Sequence, residues 1–336
     1  MMAVMPEPVS QFITAPDGLR LFARIYGSLL APGLPVVCLA GLTRNSADFD
    51  VLARVLAGDA KRPRAVIAID GRGRGRSDYD SDARNYSLPV ELADVVAVVT
   101  ALEIPPAIFI GTSRGGILAM LLAVSRPRAV AGVVLNDIGP MIETKGLLRI
   151  KSYVGRLPQP QSFEDAAEFL RRLFGGQFPK LSPEDWIAFA RRSFEEPPPL
   201  PSPASGGGKR GGLVASYDPG IAKALEGVDA QQPVPSLWNE FDALARRPVM
   251  VIRGANSDVL SAAGVAAMAA RRPDLETLEV PDQGHAPLLL DEEVISRIAA
   301  FVARCESPDG SATGRNQPRG KRTPGCKPGG RSATTR

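Results

Sequence analysis

The stretch AIFIGTSRGGILAMLLA, residues 107–123, decides the fold. An apolar run leads into Gly111-Thr112-Ser113-Arg114-Gly115, and a helical apolar pattern follows directly. This order predicts a strand, a sharp turn that carries Ser113, and a helix, which is the context of the G-x-S-x-G nucleophile motif. The glycines are expected to leave room for a strained serine backbone and a close strand–helix approach. In the alternative interpretation, Ser113 is only a helix N-cap.

Similar apolar runs recur on both sides of this stretch. Continuous rather than alternating runs indicate strands that are buried on both faces, as in a parallel sheet, and helical patterns separate them. The predicted fold class is therefore α/β, with a mostly parallel, doubly wound sheet that opens with an antiparallel pair. The predicted strands are 9–14, 19–26, 35–39, 65–69, 107–110, 130–135, 249–252 and 275–280, and the predicted helices of the core are 46–56, 90–102, 113–124, 262–270 and 291–305.

Residues 141–245 interrupt this alternation with a segment that has helical patterns, both tryptophans and no convincing buried strand. We interpret this segment as a helical lid that is inserted after the sixth strand. The core then has two parts, residues 1–140 and 246–305. Within the lid, proline and glycine are dense enough in residues 195–212 to predict a mobile loop. The helical patterns of the lid cover 143–154, 162–174 and 182–194.

The basic character of the chain belongs to its tail. The whole chain carries a net charge of +4. Residues 306–336 contain seven basic and two acidic side chains, a net of +5, so residues 1–305 sum to −1. Because the body is nearly neutral, a nucleic-acid-binding surface is not expected. The tail is rich in small and polar residues and is predicted to be disordered.

The sequence favours a cytoplasmic enzyme without a cofactor. No stretch approaches 18 uninterrupted apolar residues, and the first residues lack the basic and apolar pattern of a secretory signal. The three cysteines form no C-x-x-C pair, which argues against a disulfide framework or a zinc site. Gly71-x-Gly73-x-Gly75 lacks the spacing of a dinucleotide fingerprint, and Gly208-Lys209-Arg210 lacks the Ser or Thr of a phosphate loop. We therefore expect no nucleotide, no metal and no membrane association.

His285 is the only histidine of the 336 residues, so imidazole chemistry in this chain can use only this side chain. Serine is a weak nucleophile at neutral pH and needs a neighbouring base. His285 and Asp258 each follow a predicted strand by a short loop, which brings them to the same sheet edge as Ser113. We predict that Asp258 orients His285, with Asp137 as the rival acid at the end of an earlier strand. In the alternative, Asp258 only caps the next helix.

Two backbone N–H groups are expected to form an oxyanion hole, one from Leu42 and one from Arg114. Gly41 lets the first of these amides turn inward. Two interpretations of the Arg114 side chain stay open, a contact with a substrate carboxylate or a pair with Asp137. Asp137 and Arg72 are further candidates for either a substrate contact or a structural role. Arg72 belongs to a basic cluster in which one arginine is expected to brace a turn by hydrogen bonds.

The body of the chain, about residues 8–305, resembles the α/β-hydrolase superfamily, in particular its lidded serine esterases and enol-lactonase-like members. The resemblance rests on Ser113, Asp258, His285, the turn at Gly41-Leu42 and the run DGRGRGRS at residues 70–77, which is similar to the D-x-R-G-x-G-x-S segment of the family. Family members often have His-Gly where this chain has Ala40-Gly41. The resemblance implies a serine hydrolase and not a dehalogenase or epoxide hydrolase, because those enzymes place Asp at the nucleophile position.

We therefore predict a serine hydrolase that cleaves a small-molecule carboxylic ester or lactone through an acyl-enzyme. The same three side chains also serve carbon–carbon bond hydrolases and acyltransferases. A rival from another class is a ligand-binding protein that keeps the pocket without turnover. The aromatic lid predicts a medium-sized apolar substrate.

Overall fold

The computed structural model describes residues 7–197, 212–232 and 234–306. Most of the predicted loop 195–212 and of the tail 306–336 lies outside the described residues. The strands are β1 Val9–Thr14, β2 Arg20–Tyr26, β3 Val36–Leu39, β4 Val66–Asp70, β5 Ala107–Thr112, β6 Val130–Asn136, β7 Phe194–Glu195, β8 Val214–Ala215, β9 Val249–Gly254 and β10 Glu276–Val280. The helices are α1 Asp50–Ala57, α2 Leu88–Ala101, α3 Arg114–Ser125, α4 Thr144–Tyr153, α5 Phe163–Phe174, α6 Pro183–Ser193, α7 Trp238–Asp242, α8 Ala262–Arg271 and α9 Glu292–Cys305.

Eight strands form one sheet in the order β1-β2-β4-β3-β5-β6-β9-β10. Strand β2 pairs antiparallel with both of its neighbours, and all the other neighbouring pairs are parallel. The predicted α/β class and the antiparallel opening pair are thus confirmed. Strands β3 and β4 are buried along their whole length, as their unbroken apolar runs predict.

Apolar helices cover both faces of this sheet. One face packs against α2, α3 and Met268 of α8, and the other against α1 and α9. The central strands are therefore buried on both faces, and close packing on both sides makes the sheet rigid. Because the carboxyl ends of its parallel strands lie at one edge, the loops that follow β3, β5, β6, β9 and β10 meet there.

The segment between β6 and β9 contains helices α4, α5, α6 and α7 and the small antiparallel pair of β7 and β8. This two-stranded pair is not predicted from the sequence, since each strand has only two residues. The insertion has its own apolar cluster around Leu170, Trp186 and Phe189. Among the described residues, no helix is both long and apolar enough to span a membrane.

Candidate active site

Ser113 lies on a strained turn between β5 and α3. Its backbone has φ 51° and ψ −115°, a region that L-residues rarely adopt. The Ser113 N–H donates to the carbonyl of Asn136 at 2.9 Å, which ties the turn to the end of β6. This geometry places the hydroxyl at the carboxyl edge of the sheet, where Ser113 lines a pocket. The strand–turn–helix context that the sequence predicts is therefore present.

Three glycines allow this turn to form. A Cβ atom on Gly111 would lie 2.4 Å from the backbone nitrogen of Gly116, and one on Gly116 would lie 2.4 Å from Cγ2 of Ile138. A Cβ on Gly115 would lie 2.1 Å from the carbonyl oxygen of Leu39, the last residue of β3. Helix α3 thus lies closer to strands β5 and β3 than a side chain at these glycine positions would allow, as the sequence pattern predicts.

We expect Gly115→Ala to destabilise the protein by about 1–3 kcal/mol, because the methyl group meets the backbone of β3 rather than a flexible side chain. Equilibrium urea unfolding measures this change. Gly227→Ala is a matched control, since no heavy atom of the non-adjacent residues that the structure describes lies within 4 Å of its added Cβ, and its effect should stay within about 0.5 kcal/mol. Equal stabilities for the two variants would show that the turn relaxes freely around the methyl group.

The imidazole of His285 lies between two side chains at hydrogen-bond distance. Nε2 is 2.8 Å from Ser113 Oγ, and Nδ1 is 2.7 Å from Asp137 Oδ2. Since an ionised carboxylate can only accept, Nδ1 carries the proton and Nε2 is free to accept the serine proton. Asn136 Nδ2 donates to the carbonyl of Pro287 at 2.9 Å, which fixes the loop that carries His285.

The carboxylate of Asp137 is fully buried and accepts three hydrogen bonds. Besides His285, the donors are the Gly254 N–H at 2.8 Å and Ser257 Oγ at 2.5 Å. These bonds offset the desolvation of a buried charge and fix the carboxylate in one orientation. Asp137 itself has φ 56°, in the left-handed region that Asp and Asn tolerate better than most residues. Asp137, the rival acid in the sequence, is thus the carboxylate that binds the imidazole of His285.

Asp258 forms no hydrogen bond with His285, whose Nδ1 is bound to Asp137 instead, so the predicted pairing of Asp258 with His285 is wrong. Its carboxylate binds the guanidinium of Arg149 from α4 in a bidentate pair, with distances of 2.6 and 2.9 Å. Burial raises the pKa of Asp258, but the hydrogen bonds and charge of Arg149 outweigh it and bring the pKa below its usual range. The physical reason is position, because Asp137 directly follows β6, the neighbour of β5, whereas Asp258 lies four residues beyond the end of β9.

Neither Arg114 nor Arg72 lines the pocket in front of Ser113. Arg114 donates to Glu91 at 2.6 Å, so its predicted pair with Asp137 is not present. Arg72 is buried and binds Asp94 and Asp80, at 2.6 and 2.6 Å in the closest contacts. Arg72 therefore braces the turn after β4, which is the structural alternative.

The turn at Gly41-Leu42 lies beside the nucleophile. The Arg44 N–H donates to the Gly41 carbonyl at 3.1 Å, and Arg74 Nε donates to the Leu42 carbonyl at 2.6 Å. The backbone N–H groups of Leu42 and Arg114 donate to no atom of the residues that the structure describes. Both amides are therefore available for a ligand, and their role as an oxyanion hole stays a prediction.

Glu91 connects the two segments that carry these amides, and sequence reasoning missed it. Its buried carboxylate accepts from Arg74 Nη2 at 3.0 Å and from Arg114 Nε at 2.6 Å. Although burial raises the pKa of Glu91, the two arginine charges lower it below its usual value. In the sequence, Glu91 has the pattern of an ordinary acidic residue in the first turn of a helix, so no local signal reveals this role.

The pocket in front of Ser113 is mostly apolar, and residues of the inserted segment form part of its lining. Gln177 of the insertion accepts from the His285 N–H at 3.3 Å, and its carbonyl accepts from Asn256 Nδ2 at 3.2 Å. The pocket also has a charged end. Its apolar walls comprise Ile150, Tyr153, Leu157, Leu170, Phe174, Phe178, Phe189 and Leu288.

Comparison with known proteins agrees with the fold. The model of the alpha/beta hydrolase family matches residues 36–297. The chain is 34% identical over 272 residues to a 3-hydroxybutyrate-oligomer hydrolase of Cupriavidus necator, covering 79% of this chain and 87% of that protein. It is 28% identical to a 2-(acetamidomethylene)succinate hydrolase of Mesorhizobium japonicum, covering 73% and 79%. A solved alpha/beta hydrolase structure from Novosphingobium aromaticivorans is 38% identical, has a TM-score of 0.79, and aligns over 89% of this chain and 99% of that one. The chain therefore belongs to the alpha/beta hydrolase family.

Proposed function

We propose that the protein is a serine hydrolase that cleaves a carboxylic ester or lactone through an acyl-enzyme. One observation carries the proposal, the contact of a single imidazole with Ser113 Oγ on one side and Asp137 on the other. A hydroxyl, an imidazole and a carboxylate in this order form an arrangement that activates a serine at neutral pH. Asp137 takes the role that the sequence analysis gave to Asp258.

In the proposed reaction, Ser113 Oγ attacks the carbonyl carbon while His285 Nε2 takes its proton. Asp137 keeps the imidazole in the required tautomer and stabilises its charged form. The amides of Leu42 and Arg114 donate to the negative oxygen that develops. His285 then returns the proton to the leaving alcohol. Water, deprotonated by the same imidazole, attacks the acyl-enzyme and releases the acid and the serine.

The substrate that we propose is a short ester of a hydroxy acid. The relative with 34% identity is named for hydrolysis of 3-hydroxybutyrate oligomers, whose units are joined by esters. The apolar walls of the pocket suit a small aliphatic acyl chain. We also propose that the inserted helices, residues 141–245, act as the lid of this pocket, since Gln177 contacts the His285 backbone.

A fluorophosphonate probe with intact-mass readout tests the proposed chemistry. We expect covalent labelling of the wild type and none of Ser113→Ala or His285→Ala, because the probe reacts only with an activated serine. Ser125→Ala, at the far end of the same helix, is the matched control and should label like the wild type. A folded wild-type protein that stays unlabelled would reject the proposal and favour a binding role.

Acyl release separates hydrolysis from acyl transfer. An activated ester should give a burst of alcohol, followed by steady turnover whose acid product takes oxygen from labelled water. Steady turnover that requires an added alcohol or amine would instead identify an acyltransferase. Turnover of a diketone with no turnover of any ester would identify a carbon–carbon bond hydrolase.

A further inference from the structure

One end of the pocket carries charge. Besides His285, its charged lining residues are Arg44, Asp48 and Arg192. Two guanidinium groups thus share one carboxylate, which leaves a net charge of +1 in a partly buried and otherwise mostly apolar space. Such an excess is unfavourable in a low dielectric unless an anion balances it.

The donors of Arg44 are largely used within the protein. Its Nε and Nη2 bind the two oxygens of Asp48 at 2.7 and 2.5 Å, and Nη1 binds Ser193 Oγ. The guanidinium also lies over the ring of Phe189, 4.6 Å from its centroid. Asp48 is therefore committed mainly to Arg44 and has little capacity left for a second cation.

Arg192 is the arginine with donors to spare. Its side chain is only 18% exposed, and its contact with Asp48 is long, at 3.4 Å from Nε. Its terminal Nη atoms form no hydrogen bond with the described parts of the chain. Burial lowers the pKa of Arg192, and the Arg44 charge lowers it further, against the attraction of Asp48 and the weaker one of Asp185. The guanidinium is thus a mostly buried cation that lines the pocket and has terminal nitrogens available to a ligand there.

This charged end is close to the nucleophile. A methyl group placed on Gly41 would lie 3.6 Å from Arg44 Cγ and 3.8 Å from Ser113 Cβ, so the two side chains flank the same glycine. Arg192 follows Phe189 by three residues on α6 and lies on the same side of that helix. A small molecule can therefore reach Ser113 at one end and the arginines at the other.

We propose that Arg192, supported by Arg44, binds a carboxylate of the substrate while Ser113 attacks the ester carbonyl of the same molecule. The proposal deepens the proposed function and rests on it. The substrate class becomes short esters with a free carboxylate, such as a linear hydroxy-acid dimer, in preference to neutral esters of equal length. A guanidinium suits this role because its planar fork matches a carboxylate with two hydrogen bonds.

The test compares the linear dimer of 3-hydroxybutyrate with its methyl ester, which has the same scissile bond but no negative charge. Binding is measured by calorimetry in a Ser113→Ala background, where neither compound is consumed. We expect the acid to bind about 10- to 100-fold more tightly than the methyl ester when Arg192 is present. Arg192→Met should bring this ratio close to one, and Arg192→Lys should keep part of it.

Arg191→Met is the matched control, because it removes the same charge from the neighbouring, exposed position of α6. It should leave the ratio unchanged, whereas a merely structural role of Arg192 would weaken the binding of both compounds equally. Equal binding of acid and ester in the parent, no binding of either, or an unchanged ratio in Arg192→Met would overturn the carboxylate site.

Turnover by the enzyme with Ser113 intact separates this proposal from the proposed function. If the acid binds with the expected preference but neither compound is hydrolysed, the carboxylate site stands and ester hydrolysis is rejected. If both compounds are hydrolysed equally well and Arg192→Met does not change their kcat/KM ratio, the hydrolase stands and the carboxylate site is rejected.

Discussion

Asp137→Asn is expected to lower kcat for ester hydrolysis by roughly 10,000-fold while the protein stays folded. The asparagine amide can donate to Nδ1 of His285, which places the imidazole proton on Nε2 and blocks proton transfer from Ser113. It also removes the charge that stabilises the imidazolium in the transition state. Steady-state kinetics with an activated ester measure the loss, and circular dichroism confirms the fold.

Asp258→Asn is the matched variant, because it makes the same chemical change in the loop that follows the neighbouring strand β9. Since its carboxylate binds Arg149 and not His285, we expect less than about a tenfold change in kcat. If Asp258→Asn were the crippling change and Asp137→Asn the mild one, the imidazole partner would be the residue that the sequence analysis preferred. Comparable losses in both variants would indicate that the two carboxylates act together.

Glu91→Gln is expected to destabilise the protein by about 3–5 kcal/mol, because it leaves two buried arginine charges without their carboxylate. Arg74 and Arg114 are 4% and 13% exposed at their side chains, so water cannot compensate. The variant should also lower kcat, since Arg74 holds the Leu42 carbonyl and Arg114 carries the second predicted oxyanion amide. Chemical unfolding and steady-state kinetics measure the two effects.

Glu168→Gln is the control for this prediction. Glu168 also pairs with two arginines, Arg171 and Arg172, but on an exposed face of α5. Its loss should change the stability far less than the loss of Glu91, because solvent screens exposed ion pairs. Similar losses of stability for Glu91→Gln and Glu168→Gln would show that the buried carboxylate has no special role.

The contribution of Glu91 should depend on pH with a definite sign. Its pKa in the folded protein is lower than the usual value of 4.5, so folding favours the ionised form. The difference in unfolding free energy between wild type and Glu91→Gln should be complete at neutral pH. It should decrease as the pH falls below 4.5 and through the lower, folded-state pKa. A difference that grows on acidification would contradict the assignment.

Much of the fold could be predicted because the signals are local. Unbroken apolar runs mark β3, β4 and β5, and the glycines around Ser113 mark the turn after β5. Ser113 and His285 could be expected at one site, because each follows a strand of the same predicted sheet and the chain has no second imidazole. The structure brings these two side chains to 2.8 Å.

The acid could not be chosen from spacing alone. Asp137 follows β6 and Asp258 follows β9, and the carboxyl ends of both strands lie at the same edge of the sheet. The order of the strands in the sheet decides which carboxylate reaches the imidazole. The competing partner, Arg149, comes from an inserted helix whose position depends on tertiary packing. The same holds for Arg44 and Arg192, which are 148 residues apart in the chain and meet only because α6 packs against the turn after β3. Such pairs have no signature in a single sequence.

The solitary imidazole gives the protein a built-in spectroscopic reporter. A sample labelled with nitrogen-15 at histidine should show one set of ring resonances, provided that no polyhistidine tag is attached. Their chemical shifts distinguish the Nδ1–H tautomer from the Nε2–H tautomer and from the cation, so one titration reads the protonation of the base directly. Acylation of Ser113 or occupation of the pocket should shift the same signals. A series of spectra of the two ring nitrogens of His285 can then follow ligand binding, acylation and product release.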